Sequence, residues 1–374
     1  MNPTLGILGG GQLAKMLASA AANLGVRTRI WDPSPKPPAA IIAEHLRAPF
    51  DDPAAANAFT NNLTAATYEF ENIPEPTAAA VARAVPLFPN PKALQISADR
   101  LTEKRHLQSL DIPVPTFHPI STPQDIAQAQ ASFPFPAILK ARRLGYDGKG
   151  QAQARTPADL QSAWQSLNQT DCILEHKVPF QRELSVIVAR DRHANTRVYP
   201  LCQNHHEQGI LRTTIAPADA PDDLIHNAAQ HATNLAHSLG YVGVLTLELF
   251  QHNNQLLANE FAPRVHNSGH WTIEAAAISQ FENHIRAVLD LPLGPTQHIA
   301  HAHMINFISA IPPIQELAAI PNLAIHHYTK QPRPNRKLGH ATITAHSPQQ
   351  AATIAEQVQQ LIADHQTQPT RQPH

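Results

Sequence analysis

The opening of the chain constrains the fold more than any other stretch. An apolar run, Thr4 to Leu8, meets a glycine turn at Gly9 to Gly11; a helical pattern follows from Gln12 to about Asn23, and a second apolar run spans Val26 to Trp31. Strand, tight turn, helix and strand in that order begin a βαβ unit, which commits the chain to a parallel sheet. Gly9, Gly11 and Ala14 fit G-x-G-x-x-A, and Asp32 closes the second strand about 20 residues on, as in a dinucleotide-binding turn. A plainer account also fits, because any strand-to-helix turn facing a phosphate needs small residues so that amides and the helix N-terminus can approach it.

At 374 residues the chain exceeds what one hydrophobic core usually serves. Weak alternation through Ala65 to Phe70 and Val85 to Phe88, with prolines marking turns, predicts a small parallel α/β unit over residues 1–98. A polar helix from Ala98 to Leu110 and a Pro-rich linker, Ile112 to Pro119, lead into a second unit over 99–300. Its strand candidates are Ala137 to Ala141, Cys172 to Glu175, Glu183 to Ala189, Thr196 to Cys202, Val242 to Phe250 and Leu256 to Glu260, with one clear helix, Leu224 to Leu239. That succession predicts α+β with a largely antiparallel sheet. Strands at Ala302 to Ile308 and Lys337 to Thr344 and a helix from Pro348 to Asp364 predict a small closing α+β unit over 301–374, ending in a frayed tail.

The bulk numbers exclude several classes. With 28 basic against 29 acidic residues there is no general field to hold nucleic acid or an anionic membrane. Nowhere do about 18 apolar residues run together, and Met1 to Gly10 has no basic region ahead of a long apolar run, so neither export nor membrane insertion is expected. Cys172 and Cys202 form no framework, which points to a reducing, cytoplasmic setting, and the 23 histidines show no zinc-ligand spacing.

Chemistry concentrates in four places. Lys140 ends a β-like run ahead of Gly145-Tyr146-Asp147-Gly148-Lys149-Gly150-Gln151, a glycine-rich loop whose amides suit phosphates, although Asp147-Gly148 also reads as an ordinary hairpin tip. Glu248 sits inside the apolar strand pattern Val244 to Phe250, where a carboxylate needs a cation or a partner. Glu260 ends the next strand after a turn at Asn253-Asn254, so the two carboxylates can face each other across adjacent strands and suit Mg²⁺. The run Phe261 to His270 and the basic cluster Lys330, Arg333, Arg336, Lys337 and His340 have the composition of a binding loop and of a phosphate-monoester site or a solvated basic turn.

Seven segments, taken in order, resemble the N5-carboxyaminoimidazole ribonucleotide synthetase family of the ATP-grasp superfamily over nearly the whole length. They are Gly6 to Leu13, Thr67 to Ile73 (T-Y-E-F-E-N-I), Asp99 to Lys104 (D-R-L-T-E-K), Gly145 to Gln151, Glu175 to Phe180, Asn259 to Thr272 and Arg336 to His340. The resemblance implies an ATP-grasp fold with a Rossmann-like pre-ATP-grasp N-terminal domain, a lid at about 115–175 and a small C-terminal domain. It implies carboxylation of 5-aminoimidazole ribonucleotide with ATP and bicarbonate, through carboxyphosphate, in purine synthesis, with two Mg²⁺ ions (Mn²⁺ as an alternative) and a homodimer.

By the same resemblance ATP falls to Arg100, Lys140, the loop Gly145, Tyr146, Asp147, Gly148, Lys149, Gly150 and Gln151, the segment Glu175, His176, Lys177 and Val178, and Glu183, His206, Asn259 and Glu260. Glu183 would accept from the ribose, the 175–178 backbone would read the adenine edge, and Glu248 and Glu260 would hold the metals. Tyr146, Asp147, Lys149, Arg264, His266 and Asn267 would serve the reaction; Gly11, Gln12, Tyr146, Lys330, Arg336 and Lys337 would hold the ribonucleotide. Asn335 stands in a turn where glycine is expected.

Three other readings compete. Another ATP-grasp ligase, of the glycinamide ribonucleotide transformylase or biotin carboxylase kind, shares the ATP apparatus but not the acceptor segments. An NAD-dependent oxidoreductase leaves Glu248, Glu260 and the glycine loop unexplained. A non-catalytic ATP-binding module conflicts with intact Lys140, Glu248 and Glu260.

Overall fold

The structure, a computed structural model, describes residues 2–143, 145 and 150–367. The expected roles of Tyr146, Asp147, Gly148 and Lys149, and the expected tail beyond 367, lie outside the described residues.

The N-terminal unit is the parallel sheet that the opening predicts. Strands β1 (Thr4–Leu8), β2 (Arg27–Trp31), β3 (Glu44–Leu46) and β4 (Ala65–Tyr68) are ordered β3-β2-β1-β4. Every residue of β1 is buried, as a central parallel strand covered on both faces must be. The helix Gln12–Asn23 buries Leu13, Ala14, Met16, Leu17, Ala20 and Ala21, and shares one apolar core with Val265, Trp271, Phe281 and Ile285 of the central unit. The strand expected at Val85 to Phe88 shrinks to a single parallel bridge, Ala66 to Leu87.

The second sheet is small and antiparallel. Strands β5 (Phe117–Ile120), β6 (Ala137–Ala141), β7 (Gln151–Ala154) and β8 (Cys172–His176) run in the order β5-β8-β6-β7. Their core is their own: Ile120, Ile126, Leu139, Leu160, Trp164 and Leu174. The expected linker at Ile112 to Pro119 therefore runs into a strand, β5.

The third sheet is the largest. Strands β9 (Arg182–Arg190), β10 (Thr196–Val198), β11 (Cys202–Glu207), β12 (Ile210–Ala216), β13 (Gly243–His252), β14 (Gln255–Ala262), β15 (His301–Ile308), β16 (Leu323–His327) and β17 (Lys337–Ala345) are ordered β14-β13-β9-β11-β12-β15-β17-β16, with β10 on β9. All its pairings are antiparallel. Alternation along β9 divides its residues between two cores: Leu184, Val186 and Val188 face the helix Asp222–Ser238, while Ile187 and Ala189 join the core under the helix Gln280–Val288.

Two points of the third sheet differ from expectation. Thr196 to Cys202 is not one strand but β10 and the start of β11, interrupted at Tyr199–Leu201, where Pro200 has no N–H to give a ladder. Strands β12 and β16 were not expected. The strands after residue 300 have a core of their own, with Phe307, Leu317, Ile343, Ala355 and Val358, and β15 joins them to the central sheet by pairing with β12.

Candidate active site

The turn between β13 and β14 fixes the register from which the site is built. Asn253 and Asn254 both adopt positive φ (47° and 59°), as a two-residue hairpin loop requires, and the register then sets Glu248 directly opposite Glu260. Two carboxylates so placed repel unless something neutralises them. Arg100 Nη1 lies 2.7 Å from Glu260 Oε2, and His266 Nε2 lies 3.0 Å from Glu248 Oε1. Burial opposes ionisation of Glu248, but the hydrogen bond and charge of His266, with His206 and Lys337 behind it, hold its carboxyl down to about 2.

A second knot of charge joins this sheet to the small one. Lys140, near the end of β6, donates to Glu175 Oε2 on β8 at 2.9 Å, and Lys104 Nζ approaches the same oxygen at 3.5 Å. Burial disfavours the Glu175 carboxylate, yet the two ammonium groups bring it down to about 2. Its other oxygen, Oε1, is buried with no partner among the described residues. Arg100 begins the helix Arg100–Gln108, which Asp99 caps through the N–H groups of Leu101 and Thr102; Arg142 grips the same Asp99 carboxylate at 2.7 and 3.1 Å. Arg100 Nη2 also reaches the Gly145 carbonyl at 3.4 Å, which brings the described end of the glycine-rich loop to this corner.

Glu183 and His206 meet across β9 and β11, with His206 Nδ1 2.8 Å from Glu183 Oε2. Burial disfavours the imidazolium, while Glu183 and Glu248 favour it; the net shift is upward. Within the 175–178 segment, His176 and Lys177 already donate their N–H groups to the carbonyls of Thr116 and Pro136, both at 2.9 Å. Asn259 Oδ1, beside Glu260, is buried without a partner among the described residues.

On the acceptor side the glycine turn is filled from within. Gly11 donates to Glu69 Oε1 at 2.6 Å, Ala14 to Glu69 Oε2 at 3.2 Å, and Gly10 to Asp32 Oδ2 at 2.8 Å. The dinucleotide spacing is real, but two internal carboxylates occupy the amides that a pyrophosphate would use. Gly11 is required because a Cβ there would collide with the Glu69 carboxylate.

Gln12 and Lys330 are brought together across the whole chain, with Lys330 Nζ donating to Gln12 Oε1. Arg336 donates to the Gln331 carbonyl at 3.1 Å, and Asn335 holds φ at 61°, a left-handed conformation asparagine tolerates and the reason the glycine expected there is dispensable. Arg264 Nη2 pairs with Glu71 Oε1 at 2.9 Å. The Asn267 amide does not open toward a ligand: it donates to His270 Nδ1 at 2.9 Å and exchanges hydrogen bonds with Asn306 at 3.0 and 2.8 Å.

Comparison with known proteins bears on this arrangement. Residues 1–98 match the ribonucleotide synthetase preATP-grasp domain, 105–281 the ATP-grasp domain, and 302–353 the phosphoribosylaminoimidazole carboxylase C-terminal domain. The N5-carboxyaminoimidazole ribonucleotide synthase of Pseudomonas aeruginosa is 44% identical over 339 residues, covering 91% of this chain and 94% of the relative. The chain belongs to the N5-carboxyaminoimidazole ribonucleotide synthase family. The crystal structure of the Thermus thermophilus synthetase matches with a TM-score of 0.92 at 43% identity, over 96% of this chain and 98% of that one. The Aspergillus clavatus synthase, solved with ADP and 5-aminoimidazole ribonucleotide, matches with a TM-score of 0.90 at 28% identity, over 97% and 99%.

The structure also gives roles to residues of the matching segments for which none was expected. Glu69 and Glu71, in T-Y-E-F-E-N-I, cap the first helix and hold Arg264. Glu103 and Lys104, in D-R-L-T-E-K, are buried against β14; burial and the nearby Glu260 push the Glu103 carboxyl up to about 8. Beneath Asn267 lies a buried aromatic network. Tyr328 Oη is 3.1 Å from His270 Nδ1 and 2.7 Å from His340 Nδ1, and His340 stacks on His326, which meets Glu274 at 2.6 Å. Burial keeps both His270 and His340 neutral. Only the presence of those histidines in the quoted motifs signalled the cluster; their meeting depends on the pairing of β16 with β17.

Proposed function

We propose that the chain carboxylates the amine of 5-aminoimidazole ribonucleotide, using ATP and bicarbonate and forming the N5-carbamate, ADP and phosphate in purine synthesis. The observation that carries this reading is the opposed pair Glu248 and Glu260 at the junction of the two antiparallel sheets, with Arg100, Lys140 and His266 around it. Such a site is built to neutralise polyphosphate charge, which phosphoryl transfer chiefly requires.

The donor set fits hard divalent cations: two facing carboxylates, with the buried Asn259 Oδ1, unpartnered among the described residues, beside one of them. Glu248 and Glu260 would hold two Mg²⁺ ions (or Mn²⁺), which when bound would neutralise charge on the β- and γ-phosphates. Arg100 and Lys140 bring cations to the phosphates. Glu183, oriented by His206, accepts from the ribose hydroxyls, and the 175–178 segment flanks the base.

A bicarbonate oxygen attacks the γ-phosphorus, the bond to the ADP oxygen breaks, and carboxyphosphate forms. Its carbon then bonds to the ribonucleotide amine as phosphate leaves and the nitrogen gives up a proton. Arg264 and His266 border the carboxyl transfer; Lys330, beside Gln12, holds the 5′-phosphate together with Arg336 and Lys337. Closure of the 117–176 sheet over the nucleotide excludes water, the main competitor for carboxyphosphate. The active form is a cytoplasmic homodimer; among the described residues no helix is long and apolar enough to cross a membrane.

Bicarbonate labelled with ¹⁸O tests the chemistry. Attack on the γ-phosphorus is expected to leave one labelled oxygen in the released phosphate. Phosphate free of label would show that water attacks instead and would overturn the carboxyphosphate route.

A further inference from the structure

Strand β14 breaks its own alternation where it meets the site. Leu256, Ala258 and Phe261 all lie in the core beneath the helix Asp222–Ser238. A regular strand would send 256, 258 and 260 to one face and drive the Glu260 carboxylate into that core. The register resolves the conflict: Glu248 pairs with Glu260 but Leu249 with Ala258, so Asn259 is the extra residue of a β-bulge. One inserted residue turns Phe261 inward in place of Glu260 and lets the carboxylate face Glu248.

A bulge leaves ladder groups unpaired, and two consecutive buried side chains take them up. Lys104 Nζ donates to the carbonyls of Ala258 at 3.1 Å and Asn259 at 2.5 Å, and Glu103 Oε1 accepts from the N–H of Phe261 at 2.6 Å. Lys104 is 1% exposed and Glu103 2%, a costly place for either unless the contacts repay it. Lys104 also faces Glu175 of β8, so the cation joins the bulge to the strand that carries the partner of Lys140.

We infer that Glu103 and Lys104 are positioning residues that mould the Asn259 bulge, aim Glu260 at the nucleotide site and lock that bulge to β8. Neither touches the reacting atoms. The inference rests on the reading of Asn259 and Glu260 as nucleotide-site residues.

The test is calorimetric affinity for MgADP, with KM values for both substrates, in Glu103→Gln, Glu103→Leu, Lys104→Met and Glu260→Gln. Glu103→Gln keeps an acceptor for the Phe261 N–H and is expected to bind within about twofold of wild type. Glu103→Leu and Lys104→Met are expected to weaken MgADP by about tenfold or more and to raise KM for ATP, with KM for the ribonucleotide near wild type. A merely structural pair would lower melting temperature and leave the affinity of the folded protein unchanged. Folded Glu103→Leu and Lys104→Met proteins that bind MgADP normally, beside a weakened Glu260→Gln, would overturn the inference alone. A Glu260→Gln protein that binds normally would overturn the reading of the site and the inference with it. Should Lys104→Met fail to fold, amide exchange at Phe261 in the wild type decides: slow exchange supports the clamp and fast exchange overturns it.

Discussion

Glu248 and Glu260 are register partners across β13 and β14, and each is neutralised from a different direction, Glu260 by Arg100 and Glu248 by His266. Arg100 starts the helix that leaves the N-terminal unit, while His266 lies in the loop after β14. Two facing carboxylates thus gather three separate stretches of chain around one point, where a divalent cation would relieve their repulsion further.

Removing one carboxylate tests that arrangement. Glu260→Ala is expected to lower kcat by about a hundredfold or more while leaving the far-ultraviolet circular dichroism unchanged, because Glu260 ends a bulge and fills no core. Near-normal turnover in the folded variant would contradict the metal assignment. Chelation with EDTA is expected to abolish activity, and excess Mg²⁺ to restore it.

The Glu175 knot sets an acid limb. Its carboxyl lies at about 2 in the folded chain against an ordinary 4.5, so its contribution to stability is present above about pH 4.5 and is lost as pH falls toward 2. Lys140→Met removes one of the two ammonium groups holding it down. Its folded pKa should rise, so the urea midpoint of the variant is expected to lose less below pH 4.5 and to level off at a higher pH than that of the wild type. Parallel curves for the two proteins would show that Lys140 does not set the ionisation of Glu175.

Gly11→Ala would place a Cβ against the Glu69 carboxylate that caps the first helix. Displacing that buried carboxylate and freeing two amides is expected to cost about 1–3 kcal/mol in urea unfolding. An unchanged midpoint would show that the Glu69 cap is dispensable.

The sequence made the local features legible and hid those that depend on distant partners. The βαβ opening, the turn at Asn253-Asn254 and the facing of Glu248 and Glu260 all follow from short-range pattern, and the hairpin register agrees. The G-x-G-x-x-A spacing was equally visible, yet its occupant, Glu69, lies 58 residues from Gly11, beyond any local pattern. The bulge at Asn259 was missed because Leu256 to Phe261 reads as continuous alternation until the parity of Ala258 and Phe261 is compared. Strand β12 was missed because its polar center, Arg212 to Thr214, offers no unbroken apolar run.

Tyr328→Phe keeps the buried ring and deletes the hydroxyl shared by His270 and His340. Leaving the buried His340 Nδ1 without that hydroxyl is expected to cost about 1–3 kcal/mol, while His270 Nδ1 keeps the Asn267 amide. Because His270 also fixes Asn267, and with it the loop that carries Arg264 and His266, kcat is expected to fall as well, with MgADP affinity unchanged. A variant with wild-type melting temperature and kcat would show that the network supports neither.

The central claim is that ATP cleavage serves carboxylation of the aminoimidazole amine, and phosphate release tests it most directly. With ATP, Mg²⁺ and bicarbonate present, release is expected to depend on added 5-aminoimidazole ribonucleotide and to match the carbamate formed. Phosphate released at the same rate without the ribonucleotide, or no release although ATP binds, would contradict the account.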